Sequence, residues 1–170
     1  MQSKLEFLGH PYTFGPVLFS GYKLLIYIIF FTNSGHCQVP CGIFDDPKLV
    51  AEVKEACATI RKAMVQINAL TEAGLTAQNL NQITRWVNTK EEHAKKIIDL
   101  MANYCLCQRV KPVGAPGSPF TTEKDYLDAL KAHHNVMTAA MKAKQSVDLA
   151  AIDALEHTVG DVAKIYMPAE

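Results

Sequence analysis

The chain has no surplus of either charge. Its 170 residues carry 17 Lys and Arg against 17 Asp and Glu, a formal net charge of zero. A protein built to grip nucleic-acid backbone needs a basic excess, so that class is disfavoured. Cysteine is sparse and odd in number, five in all, which argues against a disulfide scaffold. No apolar run reaches the roughly 20 residues that a bilayer-spanning helix needs. The longest, Leu24 to Phe31, is eight residues, and the stretch back to Val17 is broken by Ser20, Gly21, Tyr22 and Lys23. No strand-like alternation follows Gly42, and no segment repeats. What is present is an ordinary globular balance, 49% hydrophobic and 20% charged. The length suits one domain with its own core, and no second.

Residues 1–35 differ from the rest. They hold four glycines, two prolines and three charges, Lys4, Glu6 and Lys23. A basic residue, a short apolar core and then polar Thr32-Asn33-Ser34-Gly35 has the shape of a removable leader. The alternatives are a buried strand or a short membrane-associated segment. Without residues 1–35 the balance is 15 basic to 16 acidic residues, which leaves the charge argument unchanged.

From position 45 onward the period is helical. Leu49, Val53, Ala56, Ile60, Ala63, Ile67 and Leu70 recur at spacings of three and four, the stripe of a packed helix. Asp45 or Asp46 caps it, with Pro47 in the first turn and Gly74 past its end. Leu80, Ile83, Val87, Ala94, Ile97, Met101 and Cys105 predict a second helix to about Gln108. Residues 111–119 contain three prolines and two glycines, hence a loop. Thr121 or Thr122 caps a third helix, with Tyr126, Leu127, Leu130, His134, Met137 and Met141 on one side. Asp148 opens a fourth, striped by Leu149, Ile152, Leu155, Val159, Val162 and Tyr166. The expected fold is all-α: a four-helix bundle over 45–170, preceded by a hook at 36–44 and a leader at 1–35.

The segment that carries chemistry is His36-Cys37-Gln38-Val39-Pro40-Cys41-Gly42. Two thiols and an imidazole lie within six residues, and Pro40 and Gly42 favour a tight reversal. A reversal can bring Cys37 and Cys41 to one point, where thiolates could hold a soft or borderline metal ion. The pair could equally be a disulfide, half of a zinc site, or two cysteines in a metal-free turn. Its spacing is one residue longer than the thioredoxin type. The other cysteines, Cys57, Cys105 and Cys107, sit in predicted helices, where buried small hydrophobes are expected. Of the adjacent His133 and His134, one should face the core and one the solvent.

His-Cys-x-x-Pro-Cys-Gly directly before a helical bundle resembles the metal hook of the nickel-containing superoxide dismutase family. Five residue types are fixed in seven positions. Arg85 through Ala94 and Tyr104 through Pro112 are similar to the family's helical body, so the resemblance covers about residues 36–166. It implies a dismutase converting superoxide to dioxygen and hydrogen peroxide by cycling nickel between its divalent and trivalent states. It implies equatorial ligation by the His36 amine, the Cys37 backbone nitrogen and the sulfurs of Cys37 and Cys41, with the His36 imidazole axial in the oxidised state. Thiolate and amide donors suit this chemistry because they make nickel(II) easier to oxidise. The amine exists only after cleavage between Gly35 and His36, so a leader-processing peptidase is implied. A homohexamer is implied too, soluble once mature.

The resemblance further implies a carboxylate at Glu52 that orients the axial histidine, with Arg85 and His93 as candidate basic partners. Read bare, Glu52 is a solvated helix glutamate. Tyr104 resembles a tyrosine near the open face of the metal; read bare, it is a core tyrosine with a satisfied hydroxyl. Phe44 and Gln38 depart from members with tyrosine and aspartate there, so Phe44 offers no gating hydroxyl. One rival is a non-enzymatic helical zinc or copper carrier using Cys37, Cys41 and a histidine. A second is a helical interaction module tethered by residues 17–31. The address follows the leader: export for a secretory signal, cytoplasm for a dedicated propeptide, an organelle for a transit segment.

Overall fold

The computed structural model describes residues 44–167. Four α-helices follow in order: α1 Asp46–Glu72, α2 Ala77–Leu100, α3 Glu123–Gln145 and α4 Leu149–Tyr166. Each helix packs on its neighbour in sequence, and α1 also packs on α4, which closes a four-helix bundle. No strand occurs among the described residues. None of their helices is long and apolar enough to cross a membrane.

The helix starts follow local chemistry. Asp45 caps α1, its carboxylate accepting from the Lys48 amide, with Pro47 in the first turn. That leaves the Asp46 side chain free for other work. Thr76, Thr122 and Asp148 cap the other three in the same way. Such caps satisfy amides that have no partner within the helix. Gly74 turns the chain out of α1 at φ +98°, a left-handed conformation that glycine adopts without strain.

The core is most of the predicted stripes of α1 and α4, joined by Ala94, Ile97, Leu100, Met101 and Cys105; Leu70 is only partly covered and Leu149 is exposed. Leu49, Val53, Ala56, Ile60, Ala63 and Ile67 are buried as expected. Two helices differ from expectation. In α3 the buried face is Ala129, His133, Val136, Ala139, Ala140 and Ala143, whereas Leu127 and Met141 are exposed. The expected stripe followed the large side chains. The observed face is mostly alanine, whose small side chains admit neighbouring helices closely. In α2 no residue before Lys90 is fully buried, and Leu80 is half exposed.

Lys90 is itself buried. Its ammonium donates to the carbonyls of Ala143 at 3.1 Å and of Lys144, and Glu91 lies 3.4 Å away. These carbonyls end α3, so a cation from α2 caps the C-terminus of α3.

The second helix reaches Arg109, close to the expected end, but not as one α-helix. Its last nine residues, Met101–Arg109, are π-helical. The Val110 amide bonds the Cys105 carbonyl at 2.8 Å, a five-residue step.

Candidate metal centre

His36, Cys37 and Cys41 lie outside the described residues. The described residues begin at Phe44, which leads into α1. Around it the structure builds a cluster. The Tyr104 ring meets the Phe44 ring edge-on, 5.6 Å between centroids at 89°. The Arg109 guanidinium lies over Phe44 at 4.4 Å from its centroid. Asp46 joins the two residues of the π segment. Its carboxylate accepts from Arg109 Nε at 3.0 Å and Nη2 at 2.5 Å, and from the Tyr104 hydroxyl at 2.6 Å.

The electrostatics of this cluster follow from the geometry. Tyr104 is buried. Burial, then the bonded Asp46 carboxylate, push its hydroxyl above the ordinary phenol range, so it stays protonated at neutral pH. Asp46 likewise holds the Arg109 charge more firmly. The fork of Arg109 on one carboxylate is the stronger kind of ion pair, bidentate and partly shielded.

Behind this cluster lies a second. His133 is fully buried. Its Nδ1 lies 2.7 Å from the Ala129 carbonyl and its Nε2 lies 2.6 Å from the Tyr166 hydroxyl. A carbonyl only accepts, so Nδ1 carries the proton, and Tyr166 donates to Nε2. Burial, and then the neighbouring Cys105 thiol, raise the Tyr166 hydroxyl above the ordinary phenol range. His134 is exposed: one of the adjacent histidines faces the core and one does not, as expected, but the buried one is His133 and not the His134 of the expected stripe.

Glu52, on α1, is paired with Lys96 of α2 at 2.7 Å. The sequence left this basic partner open, with Arg85 and His93 as candidates, and the ion pair seen here uses neither. The His93 ring instead bonds the Thr89 carbonyl at 2.8 Å, and Arg85 is exposed. Lys96 had no distinguishing signal among the charged residues of α2. The structure therefore brings Tyr104 to Phe44 and Asp46, and gives Glu52 a separate ion pair. Sequence reasoning missed Asp46 and Arg109. The doublet Asp45-Asp46 was a usable signal, because one carboxylate suffices for the cap.

The body holds no competing metal site: among the described residues no three His, Cys, Asp or Glu side chains gather to hold an ion. Burial pushes the thiols of Cys57 and Cys105 up to about 12, so neither is a ready thiolate. Cys107 is exposed. The hook's own donor chemistry, two cysteines and a histidine within six residues, suits a soft or borderline ion.

A family model described as nickel-containing superoxide dismutase matches residues 32–169. No curated protein and no solved structure matches the chain.

Proposed function

The chain belongs to the nickel-containing superoxide dismutase family, and from that premise we propose which of its residues do the chemistry. The enzyme turns two superoxide ions and two protons into dioxygen and hydrogen peroxide. Bound nickel supplies the one-electron steps, alternating between divalent and trivalent states. The family match decides against the zinc or copper carrier. It also carries the site reading, because the matched span contains the whole window His36 to Gly42.

His36, Cys37 and Cys41 hold the metal. The thiolates of Cys37 and Cys41 are strong donors, of the kind that favours the higher oxidation state. His36 supplies its amine and its imidazole. Glu52 fixes the orientation of that imidazole from α1, with Lys96 holding the carboxylate in place. Tyr104 contributes a neutral hydroxyl beside Phe44, at the base of the hook.

Residues 1–35 are a leader that a peptidase removes at Gly35. Cutting there turns an amide nitrogen of His36 into an amine, and so creates a donor. The mature chains assemble, as a hexamer on the family's pattern. The half-exposed Leu80 on the first half of α2, with Ile83, Trp86 and Val87 beside it only partly covered, supports a partner surface there.

The test compares residues 1–170, residues 36–170 with a free His36, and residues 36–170 with one extra N-terminal residue, each loaded with nickel. Only the free-His36 form should reach full superoxide loss with one nickel per chain. Equal activity from all three would show that the amine is not a donor and would remove the chemical reason for the leader.

A further inference from the structure

The π-helical end of the second helix has an unexplained cost. Such segments are rare, and they appear mostly where a function requires them. Here the effect is specific. In an α-helix, residues five apart lie about 140° apart around the axis. In a π-helix the five-residue hydrogen bond stacks them instead. Tyr104 and Arg109 are five apart, and both reach the same Asp46 carboxylate. Regular α-helix would turn one of them away.

What this convergence holds is the start of α1. Phe44 is covered by the Tyr104 edge and the Arg109 guanidinium, and Asp46 is held by both residues. Cys41 precedes Phe44 by three residues, so its Cα lies within about 11 Å of that of Phe44 even at full extension. A fixed Phe44 therefore confines one metal donor. The Asp46 carboxylate is available because Asp45 has taken the capping role.

We infer that Asp46 and Arg109 are positioning residues for the metal hook: their ion pair, assembled by the π segment, clamps the chain at Phe44 and so limits where Cys41 can sit. Neither touches substrate. Their action runs through the backbone of residues 42–46, which spans the distance between clamp and donor. The inference rests on Cys41 being a ligand, as proposed above.

The experiment uses the chain from His36 to Glu170, which keeps every buried residue of the described core, at 49–166, and the Phe44 packed against it; the parent is compared with Asp46→Asn, Arg109→Gln and Arg109→Lys. Nickel affinity is read by competition with a chelator, following thiolate-to-nickel absorption. Residues that orient ligands in this way are worth about 10- to 100-fold in metal affinity. Asp46→Asn and Arg109→Gln should each fall in that range, and Arg109→Lys should recover only part, because an ammonium cannot fork onto one carboxylate. Arg61→Gln, which breaks an ion pair to Asp153 and Glu156 between α1 and α4, controls for general loosening and should leave affinity unchanged. Hydrogen exchange of residues 36–46 in the metal-free protein gives a readout independent of nickel. Losing charged hydrogen bonds should speed it by about tenfold or more in the two clamp variants, with the bundle amides still protected. Affinity within about twofold of parent in both clamp variants, with unchanged exchange at 36–46, overturns the inference. A Cys41→Ser chain that keeps parental nickel affinity refutes the ligand reading separately, and the metal-free exchange result then still decides the clamp.

Discussion

Lowering the pH from 7 to 5 should weaken the bundle through His133. The ring is fully buried in α3, and its two nitrogens are committed to the Ala129 carbonyl and the Tyr166 hydroxyl. The groups nearest it are neutral: Tyr166 of α4, and beyond it the Cys105 thiol of the π segment. The Asp46–Arg109 pair further out carries no net charge. A second ring proton would lose the Tyr166 bond and gain no counter-ion, and burial lowers the ring's pKa from its ordinary 6.5. The unfolded chain therefore takes up a proton near pH 6.5 that the native chain refuses. Stability is complete above that pH and is lost as pH falls below it, by at most about 1.4 kcal/mol per unit. Between pH 7 and 5 the loss is bounded at about 2 kcal/mol, reached if the native ring takes up no proton in the interval. Urea unfolding of residues 36–170 at both pH values, beside His133→Gln, isolates this contribution. The variant should be weaker at pH 7, because Tyr166 loses its acceptor, and the gap should narrow at pH 5. If the variant does not fold, the ring of the parent is titrated by nuclear magnetic resonance. A gap that stays constant, or a native ring that titrates at its ordinary 6.5, would refute the argument.

The two thiol classes should separate by assay. Cys37→Ser or Cys41→Ser should abolish nickel binding and superoxide loss, whereas Cys57→Ala or Cys105→Ala should keep both and lower stability by about 1–3 kcal/mol through lost packing. Lys90→Met keeps the apolar stem and strips the ammonium from the Ala143 and Lys144 carbonyls; it should cost about 2 kcal/mol in urea unfolding, and an unchanged midpoint would show that those carbonyls are satisfied without it.

Large apolar residues at helical spacing made α1 and most of α4 legible from the sequence, as did the cap at Asp148 and one member of each pair Asp45/Asp46 and Thr121/Thr122; the Thr76 cap of α2 was missed. Periodicity fails where the buried residue is small or charged. In α3 the inner face is mostly alanine, so the larger Leu127 and Met141 pointed to the wrong side. In α2 Lys90 occupies a buried position because the end of α3 needs a cation, and nothing local to α2 announces that need. The π segment was invisible for a related reason. A reading tied to one helical period cannot register a change of period, and residues 101–109 read as the continuation of α2. For the candidate site, the hook window was plain because its residue types are chemically rare together. Asp46, Arg109 and Lys96 are common charges whose importance depends on partners 44 to 63 residues away in the chain.

The distribution of cysteines shows how one chain keeps a reactive centre and a stable body apart. A dismutase makes hydrogen peroxide, and peroxide attacks thiolates far faster than thiols. Cys57 and Cys105 are held as thiols by burial, which for Cys105 outweighs the opposing pull of the Tyr166 hydroxyl. Neither can easily compete for nickel or be oxidised, because both chemistries start from the deprotonated sulfur. On the proposed reading, Cys37 and Cys41 do the opposite and ionise to bind the metal, and in sequence they lie ahead of α1 rather than on a helix stripe. The clamp at Phe44, Asp46, Tyr104 and Arg109 stands where the described chain enters α1, and the π turn in the second helix is what lets two of its members reach the third.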